Sequence, residues 1–212
     1  MSAEGIDSRL NELLREAGLE ALDSERASKF EAYLSLFVRW NERLNLSSLR
    51  DVDGIISRHI IESIVVARHV PQCVATLLDF GSGAGLPGIP IALCRPEISV
   101  TLAESQGKKA AFLYEAVRKL GIAAKVHAER AETLRTAFGC VVLRAVDKMP
   151  KAVPAAVPLV ASEGWLALMT TDGSAAALQE GAGSVFAWAE PIRLPGSESR
   201  LLSLGQKINS SA

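Results

Sequence analysis

Leu77-Leu78-Asp79-Phe80-Gly81-Ser82-Gly83-Ala84-Gly85-Leu86-Pro87-Gly88-Ile89-Pro90 decides the fold. The apolar run from Val74 to Leu78 reads as a buried strand, Asp79 closes it, a glycine-rich turn follows, and Pro87 stands where a helix can begin. Four glycines in eight residues exceed what one strand-to-helix turn needs. Glycine admits positive φ and lets a ligand approach the main chain without Cβ contacts, and the amides of a following helix attract negative charge. The stretch is therefore read as a ligand loop.

Two frames compete for its ligand. Gly83 to Gly88 fits G-x-G-x-x-G, and Glu104 lies about 20 residues farther on, as a dinucleotide site requires. That frame leaves Asp79 and Gly81 without a role and puts a carboxylate near a pyrophosphate. The other frame, Asp79-x-Gly81-x-Gly83-x-Gly85, is an S-adenosylmethionine loop. In it Asp79 faces the methionine ammonium, directly or through water, and Glu104 accepts both ribose hydroxyls. The second frame uses more of the residues and is preferred, with an NAD-dependent oxidoreductase as the rival.

Composition narrows the class. The chain has 212 residues, 49% of them hydrophobic, which suits one domain of ordinary size with an extension. Its net charge of −1 does not announce a strongly basic nucleic-acid binder, so any such contact must come from a local patch. Cys73, Cys94 and Cys140 lie in apolar segments without metal-ligand spacing, and read as reduced core residues with no disulfide or zinc site. The polar segment Glu4 to Arg15 lacks the pattern of a signal peptide. Lys151, Pro154, Pro158 and Glu163 interrupt the apolar region Met149 to Met169, which argues against a membrane span. A cytoplasmic monomer without metal or membrane attachment is expected.

Helical spacing is present at Leu10, Leu13, Leu14 and Ala17, with Gly18 as a stop. A longer helix capped by Ser24 carries Phe30, Leu34, Phe37 and Leu44, and a third stretch, Ile55 to Val70, ends at Pro71. Residues 1–70 form an N-terminal helical extension and 71–212 the ligand-binding domain, together one compact unit. Beyond the loop, short apolar strands are expected at Ile98 to Ala103, Ala124 to His127, Cys140 to Leu143 and Trp165 to Met169. Helices lie between, at Lys108 to Leu120 and Pro150 to Val160, and Val185 to Trp188 pairs with Leu201 to Leu204 as a closing antiparallel couple. The alanine-rich patch near Ser174 is read as low complexity. The fold class is α/β: Rossmann-like, a mainly parallel sheet with helices on both faces.

The ordered motifs resemble a known family, the bacterial guanine-N7 methyltransferases of small-subunit ribosomal RNA, also called glucose-inhibited division protein B. The segments that carry the resemblance are Trp40-Asn41-x-x-x-Asn45-Leu46-Ser47, Arg58-His59-Ile60-Ile61-Glu62-Ser63, the loop Asp79 to Pro90, Glu104-Ser105 with Lys108-Lys109, Arg130-Ala131-Glu132 and Arg144-Ala145. It spans roughly residues 33–169 and resumes weakly at Leu194-Pro195-Gly196. The sequence departs from the family pattern at Glu62, usually aspartate, and at Thr170-Thr171, usually Lys-Gly. The second departure removes a cation near the target site and keeps open a catalytically silent RNA-binding or assembly paralogue.

The resemblance implies a class I methyltransferase that uses S-adenosylmethionine, with small-subunit ribosomal RNA or a ribosomal particle as substrate. Gly81, Leu86, Ala131, Glu132 and Arg144 are then expected at the cofactor, and the charge argument adds Asp79 and Glu104. Gly83 and Gly85 complete the loop. Guanine N7 carries an in-plane lone pair and no proton, so methyl transfer to it needs alignment and electrostatics and no general base. Arg144, Arg58 and His59 are the candidate substrate-site residues, although a histidine among isoleucines is first read as packed and hydrogen-bonded. Arg58, Lys108 and Lys109 are the RNA-binding candidates, on a rim that also includes Arg39, Arg43 and Arg50. Trp40, Trp165 and Trp188 fall on core-like spacing.

Overall fold

The computed structural model describes residues 3–49, 51–144 and 149–208; Arg50 and Ala145 lie outside these described residues. Helix α1 (Ala3–Glu16) buries Leu10, Leu13 and Leu14, the face its spacing predicts. Helix α2 (Ser24–Leu44) is capped by Asp23 and not by Ser24, because the Asp23 carboxylate accepts the Arg26 amide at 2.8 Å and complements the positive helix end. The expected single helix Ile55 to Val70 is instead α3 (Val52–Ile55), a π-helical turn (Ile56–Ile61) and α4 (Glu62–His69). Ile56, Ile60 and Ile61 stay buried through the turn, while Arg58 comes to the surface and His59 sits half-buried beside it.

The ligand loop follows β1 (Thr76–Phe80), which starts two residues later than the apolar run suggests. Its register is set on both sides, Leu77 facing Val100 and Cys140, so Asp79 lies inside the strand and does not terminate it. The other elements are α5 (Gly88–Cys94), β2 (Ser99–Ala103), α6 (Gly107–Leu120), β3 (Lys125–His127), β4 (Phe138–Arg144), α7 (Met149–Ala156), β5 (Val160–Thr171), α8 (Asp172–Gly181), β6 (Phe186–Trp188), β7 (Ile192–Arg193) and β8 (Arg200–Lys207). Gly121, at φ 59, ends α6. The alanine-rich patch near Ser174 forms helix α8: alanine is the strongest helix former, and Ala175 and Leu178 are buried.

The sheet runs β3-β2-β1-β4-β5-β8-β6, with β7 paired to β8. Strands β1 to β5 are parallel, and β8 is antiparallel to β5, β6 and β7. One face packs on α7 and α8 through Leu78, Val141, Val153 and Leu178. On the other face the N-terminal helices share a core with the sheet, since Leu14, Phe37 and Ile64 join Leu77, Leu102 and Phe112 in one cluster. Phe112 is the hinge of that contact: Tyr33, Phe37 and Trp40 all lie with ring centroids within 6.5 Å of it. Trp40 keeps its indole N–H satisfied on Glu115 at 2.9 Å. Of the three cysteines only Cys140 is a core residue; Cys94 is half-buried and Cys73 is exposed, and all are free. No helix among the described residues is long and apolar enough to cross a membrane.

Candidate functional site

A cleft of about 650 Å³ opens over the carboxyl ends of β1, β2 and β4. This is the edge where open α/β sheets place their ligands. Its floor is the glycine loop. Gly81 and Gly83 have φ of 73° and 56°, a region that a side chain disfavours. The loop is held from within: Ser82 donates its amide to Ala103 at 2.9 Å and its hydroxyl to the Asp79 carbonyl at 3.0 Å. From the buried N-terminal layer, the Tyr33 hydroxyl of α2 donates to the Ala84 carbonyl at 2.5 Å. The N-terminal layer thus helps to shape the loop.

Glu104, at the end of β2, is buried and lines the cleft. One carboxylate oxygen accepts the Gly83 amide at 2.9 Å and the other the Gln106 amide at 2.7 Å. It therefore fixes the loop and keeps free lone pairs for ligand hydroxyls. Asp79 is placed differently. It is 1% exposed, lies beneath the loop and accepts the Gly88 amide at 3.0 Å, so it offers the expected ammonium contact no surface in the cleft. Burial pushes its carboxyl up to about 7, against the lowering effect of the Gly88 amide. The same bond counts against a pyrophosphate: the first amide of α5, where a dinucleotide would dock, is already taken by a carboxylate.

Gly81, Gly83, Leu86, Glu104, Ala131, Glu132, Arg144, His59 and Lys109 all line the cleft, joined by Ser47 and Lys151. Gly85 does not; a Cβ there would lie 2.4 Å from Ile89, so it packs the loop against the helix behind. Lys108 and Arg58 are exposed outside the lining, and Arg58 serves the site through its carbonyl. Arg39 is engaged with Glu115 at 2.5 Å. Sequence reasoning passed over Lys151 because it sits in a stretch otherwise read as apolar.

Arg144 ends β4 and is the centre of the site's charge. Its Nη2 donates to the Arg58 carbonyl at 2.7 Å, to His59 Nδ1 at 2.7 Å and to Glu62 at 3.2 Å. Glu62 is 1% exposed and also accepts from Arg200 on β8. Arg200 stands opposite Thr171 in the ladder, at the strand end that carries Thr170-Thr171. Burial lowers the Arg144 guanidinium and raises the Glu62 carboxyl, while each partner's charge opposes the shift of the other. His59 is pushed down to about 3 by burial and by the neighbouring Arg144 and Arg58, so its ring is neutral. Among the described residues no group of histidine, cysteine and carboxylate side chains could hold a metal ion.

The family model for GidB, rRNA small subunit methyltransferase G, matches residues 26–189. The chain is 39% identical to the ribosomal RNA small subunit methyltransferase G of Halorhodospira halophila, over 78% of this chain and 77% of that one. It is 43% identical to the protein of the same name from Xylella fastidiosa, over 73% and 74%. Among solved structures, a SAM-dependent methyltransferase from Aquifex aeolicus superposes with a TM-score of 0.58 at 13% identity, covering 73% of this chain and 93% of that one, a likeness of fold. With a family match across most of the chain and relatives of this identity, the chain belongs to the rRNA small subunit methyltransferase G family.

Proposed function

We propose that this protein transfers the methyl group of S-adenosylmethionine to N7 of a guanine in 16S small-subunit ribosomal RNA. The observation that carries the reading is the union of the glycine loop, Glu104 and Arg144 in one cleft, in a chain of this family. S-adenosylmethionine supplies an electrophilic methyl on a sulfonium when bound. The residues present suit it: apart from its chain neighbours, the nearest described atom to where a Cβ of Gly83 would stand is the Gly81 carbonyl oxygen at 3.9 Å, Glu104 holds acceptors for a ribose, and Arg144 Nη1 has no partner among the described residues. Ala131 and Glu132, in a short 3-10 turn after β3, present backbone groups for the adenine.

The chemistry of N7 fits the rest. No proton leaves that atom, and the site's imidazole is committed: His59 spends both ring nitrogens on Arg144 and Ser47. What the protein contributes is alignment over the glycine floor and a lining that includes Lys109, Arg130 and Lys151 for phosphate contacts.

The test is methyl transfer from labelled S-adenosylmethionine to unmodified 16S RNA, given both as free RNA and within small subunits. The product is mapped by borohydride reduction and aniline cleavage, which cut at N7-methylguanine. A single guanine cleaved in one of the two substrates is expected. Label on another atom, or selective binding of NAD in a parallel titration, would overturn the proposal.

A further inference from the structure

One side of the Arg144 guanidinium is fully used and the other is not. Nη2 shares its two protons among three acceptors, the Arg58 carbonyl, His59 Nδ1 and Glu62, whereas Nη1 is buried without a partner among the described residues. A guanidinium donates and never accepts, so His59 Nδ1 must present its lone pair. The proton of the neutral ring then sits on Nε2, 2.7 Å from Ser47 Oγ. That oxygen also takes the Leu49 amide at 3.1 Å. Ser47 is placed in turn by Asn41, whose Oδ1 accepts the Ser47 amide at 2.8 Å and whose Nδ2 donates to the Leu49 carbonyl at 3.1 Å.

We infer that His59 is a positioning residue for methyl transfer: its Nδ1 lone pair, oriented by Ser47, aims Arg144 so that Nη1 is left for an oxygen of the bound reactants. The inference rests on the methyltransferase reading. The oxygen belongs either to the cofactor carboxylate or to the RNA, and the two sources separate experimentally. A packing role alone is also separable, because the contact of His59 with Phe37, ring centroids 6.3 Å apart, would be kept by any aromatic side chain. The low basicity of the buried ring agrees with an acceptor that stays unprotonated at neutral pH.

The experiment uses the full chain with His59→Asn, His59→Gln and His59→Phe, each alone and combined with Arg144→Ala. Asparagine places its amide oxygen where Nδ1 lies, glutamine where Nε2 lies, and phenylalanine offers no acceptor. Single-turnover transfer rates, S-adenosylmethionine affinity by calorimetry and thermal unfolding are measured on all six variants beside wild type. Asparagine should remain within about fivefold of wild type, whereas glutamine and phenylalanine lose roughly 30-fold or more, and the three should converge within about twofold once Arg144 is alanine. Loss in cofactor affinity assigns the oxygen to S-adenosylmethionine; loss only in the rate with RNA assigns it to the nucleic acid. Asparagine no better than phenylalanine in folded protein, or penalties undiminished without Arg144, overturns the role. Wild type that binds S-adenosylmethionine yet methylates no RNA overturns the proposed function instead. The coupling is then read in cofactor affinity, where its absence defeats the inference.

Discussion

Asp79 and Gly88 are tied beneath the glycine loop by a buried hydrogen bond of 3.0 Å from the Gly88 amide to Asp79 Oδ2. The two residues stand at the end of β1 and the start of α5, so the bond closes the loop into a ring of backbone with the cleft above it. It also converts a helix start that would suit an anion into an occupied one.

The closeness of that contact sets the cost of a side chain at Gly88. A Cβ there would lie 2.4 Å from Leu102 Cδ2, 2.6 Å from Asp79 Oδ2 and 2.9 Å from Asp79 Cβ. Gly88→Ala should destabilise the protein by about 2 kcal/mol through overpacking. Because the loop shifts with it, S-adenosylmethionine affinity should fall as well. Urea unfolding and calorimetric titration check both, and an alanine variant of wild-type stability would show that the loop yields without cost.

Asp79 also gives stability a pH dependence. Its carboxyl titrates near 3.8 in the unfolded chain and at about 7 in the folded protein. Between these values the native state holds a proton that the unfolded state has released, so the contribution is fully present below 3.8 and is lost as pH rises through about 7. The slope is at most about 1.4 kcal/mol per pH unit. Asp79→Asn removes the titration and should gain on wild type steadily as pH is raised from acid to neutral. Unfolding curves for the two proteins that run parallel across this window would contradict it.

Glu62 balances two guanidiniums, Arg144 on β4 and Arg200 on β8. Glu62→Gln leaves both cations near a neutral amide and should cost roughly 3 kcal/mol of stability, since one partner of a buried pair has been removed. Arg200→Gln should cost less, because Arg200 keeps a quarter of its side chain in solvent and Arg144 retains Glu62. Thermal unfolding of the two variants gives the order directly.

Lys151, on α7, and Lys109, on α6, both line the cleft. Each alanine variant should weaken RNA binding without changing sequence preference and reduce the slope of log affinity against log salt by about 1. Filter binding across a salt series measures it. An unchanged slope would remove that lysine from the phosphate-contacting surface.

Much of this was legible in the chain because it depends on neighbours in sequence. The glycine loop announced a strand-loop-helix unit, and the periods at Leu10 to Leu14, Phe30 to Phe37 and Ile60 to Val65 marked the helices that the structure contains. Local chemistry misled where two candidates were adjacent: Ser24 and Asp23 can each cap a helix, and the charged acceptor took the place. The π-helical turn was invisible because six apolar and polar residues satisfy either helix period equally well.

The sequence by itself determined the class of fold, the position of the loop and the residues that line it from adjacent strand ends, since these follow from hydrophobic period and backbone freedom within short windows. Only the tertiary structure decided that Asp79 braces the loop from below, that Gly85 packs away from the cleft, and that His59 and Glu62 meet Arg144, more than 80 residues away in the chain. Those roles depend on which lone pairs and protons face one another after the N-terminal helices have packed on the sheet, and no local spacing encodes that orientation.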